Sequence, residues 1–211
     1  MVVHFIAVLF TAFIIYTAWP GSSLFSWHPT LMAIAFVFLM FEGLLVFSPE
    51  SSLLHRSPNL TKIKFHWLVQ GAAVTCALGG FLVIYANKNV YDKPHFLTWH
   101  GYMGVITIIF LCMQSIGGTF AKYPALAKAI GMRLSEIRLY HATSGAVTFT
   151  LVCLSLMLGL YTDWFSTNVT GTAWYGCLGC VSCMGLTIMN QIASKYVKKS
   201  QKNTSSTSKS E

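Results

Sequence analysis

The sequence predicts an all-α polytopic membrane protein of six transmembrane helices, and three observations carry that prediction. Charged residues make up only 9% of the 211-residue chain and hydrophobic ones 55%, whereas a soluble chain is about 25% charged. A soluble fold so poor in charge would expose too much apolar surface to stay dispersed. Several apolar runs approach ~20 residues, the length that carries a helix across a hydrocarbon core of about 30 Å. These runs are continuous and lack the period-two alternation of a barrel strand, and lipid admits only helices or closed barrels.

The expected spans follow in order. The first covers Val2–Trp19 and is closed by Pro20-Gly21; the second covers Trp27–Phe47 and is ended by Ser48-Pro49. The third covers Phe65–Ala86, the fourth Leu97–Gly117, the fifth Leu139–Tyr161 and the sixth Thr172–Ser194. The first begins at Met1 without a basic leader or a small-residue cleavage site, so it reads as a retained helix rather than a signal peptide. Residues 1–196 form one transmembrane domain. Residues 197–211 are rich in Lys, Ser and Thr, a composition that predicts a disordered tail.

Orientation comes from Lys and Arg. The loop between spans two and three carries Arg56, Lys62 and Lys64, and the loop between four and five carries Lys122, Lys128, Arg133 and Arg138. The C-terminal tail adds Lys195, Lys198, Lys199, Lys202 and Lys209, while the opposite face has only Lys88 and Lys93. The positive-inside bias puts both termini and the basic loops in the cytosol. The formal charge of +8 therefore marks membrane edges and not a nucleic-acid partner.

Four histidines repeat one arrangement. His28, His66, His100 and His141 each fall within the first turn or so of spans two to five. Consecutive spans run antiparallel, so His28 and His100 share the non-cytosolic side, and His66 and His141 the cytosolic side. One such histidine is ordinary interfacial decoration. Four at matching depth are different, because ionisable groups inside spans are costly and usually functional. Two imidazoles facing across a four-helix bundle are what a six-coordinate haem requires. Gly104 and Gly145, each four residues past a histidine, would leave room beside the helix for a porphyrin.

A protein zinc site wants its ligands at one point, which these two depths do not offer. A haem with both axial positions filled has no open site, which favours electron transfer over oxygen chemistry. Irons roughly 15–20 Å apart along the membrane normal would form a two-step relay.

At Gly21-Ser-Ser-Leu-Phe-Ser-Trp-His-Pro29, Phe47-Ser-Pro-Glu-Ser-Ser-Leu-Leu54, Leu139-Tyr-His-Ala-Thr-Ser-Gly145 and Ile188-Met-Asn-Gln191 the chain resembles the cytochrome b561 family, and the resemblance covers essentially its whole length. The short leader that relatives carry has no counterpart before Met1. The resemblance implies two b haems per chain on His28, His66, His100 and His141, paired as topology pairs them. It implies ascorbate as cytosolic donor and monodehydroascorbate radical or ferric iron as acceptor, with association as a homodimer. An endoplasmic reticulum or vesicle membrane is the expected location. Basic residues before the third-span histidine and in the loop before the fifth span bind ascorbate in better-studied members; Lys62 and Lys64 occupy the first region here, and Arg133 and Arg138 the second. By position alone, His95, five residues before His100 and close to Lys93 on the non-cytosolic side, is either an acceptor or iron contact or an ordinary interfacial histidine.

Other features read as structural. His4 and His55 have no partner at matching depth, and Glu42 assists proton balance, bonds a neighbouring helix or snorkels to the interface. Cys177, Cys180 and Cys183 are strung along about 9 Å of helix axis, too far to wrap one iron–sulfur cluster; with Gly176, Gly179 and Gly185 they read as a small-residue packing face. All six cysteines lie in apolar runs, where a secreted disulfide framework would not place them. Asn168-Val-Thr170 is a glycosylation sequon on the non-cytosolic side. The competing reading is a transporter or proton or metal conductor lined by histidines. It predicts helices broken near the midplane, and these spans are continuous.

Overall fold

The computed structural model describes the backbone of residues 1–207 and the side chains of residues 1–194. Among them every regular element is a helix: α1 (Val2–Ala18), α2 (Trp27–Leu45), α3 (Asn59–Val90), α4 (Trp99–Lys122), a short α5 (Pro124–Ala129), α6 (Leu134–Leu160), a short α7 (Asp163–Asn168) and α8 (Gly171–Thr207). Five segments are long and apolar enough to cross a membrane: α2, α3, α4, α6 and Gly171–Ser194 of α8. The 17-residue α1 is equally apolar and a little shorter.

Local chemistry sets where each helix starts. The Thr98 hydroxyl accepts the Gly101 N–H at 3.1 Å, an N-cap that makes His100 the second residue of α4. Pro58 precedes α3, and at the start of α6 the Glu136 carboxylate accepts the Arg133 backbone N–H at 3.2 Å. Trp19 takes a left-handed φ of 47° where α1 ends, and Gly21 follows at φ 92°. The expected Pro20-Gly21 stop is thus a sharp reversal that glycine accommodates without a Cβ clash.

Several helices run longer than hydropathy suggests. α3 begins six residues before Phe65 and α6 five before Leu139, because backbone hydrogen bonding continues into water until a breaker intervenes. His66 and His141 therefore sit two turns inside their helices instead of in the first turn, whereas His28 and His100 keep the expected position. The helical backbone of α8 likewise continues to Thr207, through much of the stretch whose composition reads as disordered. That stretch contains no Gly or Pro. Residues 208–211 of the tail lie outside the described residues.

α2 packs on α3, and α4 on α6; α3 meets α4, while α1 and α8 close the ring against α2 and α6. Inside, Phe41 of α2 stacks on Phe149 of α6, with ring centroids 6.2 Å apart, and both side chains are buried. Side-chain contacts fix the directions. His4 near the start of α1 and Gln191 late in α8 both reach the C-terminal end of α2. The N-terminus, the Lys/Arg-bearing loops and the later part of α8 thus share one end of the bundle, here the basic end; the other is the far end.

Candidate functional site: two facing histidine pairs

The four singled-out histidines meet in twos. His28 and His100 face each other at the far end with ring centroids 6.2 Å apart and planes at 73°. His66 and His141 do the same at the basic end, at 6.3 Å and 82°.

What holds each ring is a neighbouring helix. His28 Nδ1–H donates to the Gly80 carbonyl of α3 at 2.9 Å, and His66 Nδ1–H donates back to the Gly43 carbonyl of α2 at 2.8 Å. His100 Nδ1–H donates to the Ser155 carbonyl of α6 at 3.0 Å. His141 Nδ1 meets a side chain instead, Gln114 of α4, at 3.0 Å. For His28, His66 and His100 a proton fixed on Nδ1 leaves Nε2 to bind a metal, whereas the Gln114 amide nitrogen donates to His141 Nδ1. Each helix pair thus exchanges support, α2 with α3 and α4 with α6.

The spacing of these contacts is regular. On α3, α4 and α6 the supporting residue lies 14 positions after the helix's own histidine: His66 to Gly80, His100 to Gln114, and His141 to Ser155. Fourteen residues make nearly four α-helical turns, returning to the same face roughly 21 Å along the axis. On α2 the interval from His28 to Gly43 is 15. The stretch Ala33–Met40 between them is π-helical, and a wider turn absorbs one extra residue. The π segment keeps α2 in register with the other three.

The C-terminal end of α2 explains why His66 is held. Terminal helix carbonyls lack intrahelical partners. Here Gln70 Nε2 donates to the Met40 carbonyl at 3.1 Å, His66 to Gly43, and Gln191 Nε2 to Leu44 at 3.1 Å. Glu42 bonds a neighbouring helix: its carboxylate takes His4 Nδ1–H at 2.8 Å, while His4 Nε2 contacts the Ser51 carbonyl at 2.7 Å. The expectation that His4 has no partner at its depth is corrected, since only the fold brings residues 38 apart together.

Glycines admit the rings, though not those singled out. A Cβ on Gly118 would lie 2.9 Å from His141 Cε1, and one on Gly159 3.3 Å from His100 Cε1. Gly104 does line the far-end cavity, but the space at Gly145 is taken by the Gln114 amide, 2.7 Å from an added Cβ. Of the expected small-residue face on α8, Gly185 packs toward Cys153, whereas Gly176 and Gly179 face open space.

A cavity of about 710 Å³ surrounds the far pair, within the roughly 300–1,000 Å³ common for cofactor sites. His95 and Lys88 line it too. His95 Nε2–H donates to Asn89 Oδ1 at 2.8 Å and its ring stacks on Tyr85, while Lys88 donates to the Pro94 carbonyl at 2.7 Å.

At the basic end Lys62, one turn before His66, donates to the His55 carbonyl at 3.2 Å, and Lys64 and Arg138 are exposed. Arg133 is tied to Glu136 at its helix cap. Sequence reasoning missed the Lys122 ammonium, 3.4 Å above the Trp67 ring beside His66. Among the described residues no three His, Cys, Asp or Glu side chains converge, so each level offers two facing imidazoles.

Comparison with known proteins agrees with this architecture. Residues 27–166, which span all four histidines, match the model of eukaryotic cytochrome b561. The chain is 44% identical to human "Transmembrane reductase CYB561D2" over 92% of its length and 86% of the relative's. It is 37% identical to mouse "Probable transmembrane reductase CYB561D1" over 92% and 84%. It is 27% identical to bovine "Lysosomal membrane ascorbate-dependent ferrireductase CYB561A3" over 75% and 58%. The chain belongs to the eukaryotic cytochrome b561 family.

Proposed function

We propose that this chain is a transmembrane ascorbate-dependent reductase that crosses the bilayer six times with both termini cytosolic. It holds one haem b between His66 and His141 and another between His28 and His100. Electrons enter from ascorbate at the cytosolic, basic end and leave to monodehydroascorbate radical or ferric iron at the far end, across an endoplasmic reticulum or vesicle membrane.

The observation that carries the reading is the pair of ring separations. Two imidazoles bound at about 2.0 Å to one iron between them, each ring centre ~1.1 Å beyond its nitrogen, stand roughly 6.2 Å apart; the pairs measure 6.2 and 6.3 Å. A relative named for ascorbate-dependent ferrireduction supports the donor and acceptor classes.

A haem bound at each level supplies a reversible one-electron couple with no open coordination site. The chain's residues do the rest. Three carbonyls and Gln114 orient the four rings, and apolar packing around Phe41 and Phe149 keeps water from the space between levels. Lys62, Lys64 and Arg138 attract the ascorbate monoanion, with Arg133 contributing only when released from Glu136. At the far end His95, with Lys88 beside it, faces the acceptor.

The test is spectroscopic. Protein purified in detergent from a haem-sufficient host should give oxidised and dithionite-reduced spectra of two bis-imidazole haem b per chain, and ascorbate should reduce them. A folded, colourless protein overturns the reading.

A further inference from the structure

We propose that His4 and Gln191, on the two long helices that carry none of the four facing histidines, are positioning residues for His66 and act through the last turn of α2. The inference rests on reading His66 and His141 as a haem pair.

The supporting carbonyls differ in how firmly their own helices hold them. Gly80 lies well inside α3, and Ser155 more than a turn before the end of α6, so hydrogen bonding within each helix fixes both. Gly43 lies two residues before α2 ends at Leu45. Intrahelical bonding runs out there, and terminal turns fray unless something outside holds them. His66 Nδ1–H donates to this carbonyl, so movement of that turn reorients the ring.

Bonds from two other helices brace the turn on either side of Gly43. From α1, His4 pairs through Nδ1 with the Glu42 carboxylate at 2.8 Å, and its Nε2–H donates to the Ser51 carbonyl at 2.7 Å. This one ring, 8% exposed, ties the turn to the loop beyond it, where Ser52 Oγ–H donates back to the Val46 carbonyl at 2.7 Å. From α8, Gln191 Nε2–H donates to the Leu44 carbonyl at 3.1 Å. α3 itself adds Gln70, on the Met40 carbonyl nearly a turn earlier. Apolar side chains would pack α1 and α8 on α2 without the cost of burying polar groups in a span. Apolar burial is non-directional, however, whereas a hydrogen bond weakens steeply as its angle closes. The polar contacts therefore resist rotation of the turn, and so hold the Gly43 carbonyl on line with His66.

Single variants of the haem-loaded protein test this by low-temperature EPR of the ferric form and by haem transfer to apomyoglobin. The signal that His66→Ala removes identifies the basic-end haem, and the other serves as internal control. His4→Phe keeps an aromatic ring and loses both bonds; Gln191→Leu loses one at similar volume. Each should move the basic-end signal and leave the far-end one, with the basic-end haem lost roughly fivefold faster, the worth of one hydrogen bond. If His4→Phe does not fold, Gln191→Leu decides alone; Gln191 Oε1 has no partner among the described residues, so leucine there also removes an orphaned acceptor. Thr11→Val is the control on α1. The Thr11 hydroxyl is buried and likewise unpartnered among the described residues, and its loss should leave both signals in place. Unchanged signals in His4→Phe and Gln191→Leu, equal changes in both haems, or a Thr11→Val shift as large as that of His4→Phe overturn the proposal. Wild-type protein without haem overturns the haem reading instead.

Discussion

The two ends of the bundle present the same histidine pair in different surroundings. At the far end both rings are held by backbone carbonyls and enclosed by a cavity of about 710 Å³. At the basic end one ring is held by a carbonyl and the other by a side chain, with the His4–Glu42 pair on the adjoining end of α2. Backbone support inside a helix fixes a ring whatever the side chains do, whereas side-chain support can be tuned by substitution. The far end holds its rings through backbone that substitution leaves in place, and the basic end holds one ring through a side chain that substitution can change.

The comparison breaks most completely at the ligands. Alanine at His66 or His141 should remove about half the bound haem and leave the far-end spectrum, and His28→Ala or His100→Ala should do the reverse; loss of both haems from a folded single variant would refute independent sites. Register comes next. Deleting Val37 inside the π segment converts the 15-residue interval of α2 to the 14 of its neighbours and should spare both haems. Deleting Ala73 from α3 turns His66 about 100° relative to Gly80 and should abolish them. Haem content per folded protein measures both.

Glycine space gives a smaller effect. Gly118→Ala, whose Cβ would sit 2.9 Å from His141, should weaken haem retention at the basic end during dilution. Gly104→Ala, with its nearest contact at 3.8 Å, should not alter retention at the far end. His4→Phe leaves the Glu42 carboxylate half-buried without its partner and should cost about 1–3 kcal/mol, read as a lower melting temperature in detergent. Glu42→Gln, which keeps a hydrogen bond to His4, should cost less. The smallest effect belongs to the surface cations. Lys64→Ala with Arg138→Ala should raise the KM for ascorbate a few-fold with kcat held, and raised salt should mimic it.

The sequence made the helices and the histidine levels legible because lipid leaves a chain few options. Apolar runs must become helices, and consecutive helices must reverse, so His28 had to share a level with His100 and His66 with His141. Boundaries were less legible: hydropathy registers the lipid-facing part of α3 and α6, but hydrogen bonding carries the helix on past it. Gln114 carried a readable signal, a polar residue 14 positions after His100 in an apolar run. Gly80, Gly43 and Ser155 carried none, because they act through carbonyls that every residue possesses.

By itself the sequence determined the class of fold, the direction of each helix and which histidines could meet, since these follow from burial in oil and from alternation along the chain. The tertiary structure decided which carbonyl or amide faces each ring, which glycines admit the rings, and that His4 reaches Glu42. Those contacts depend on rotation and approach between helices to within an ångström, and side-chain packing, not composition, fixes distances that small.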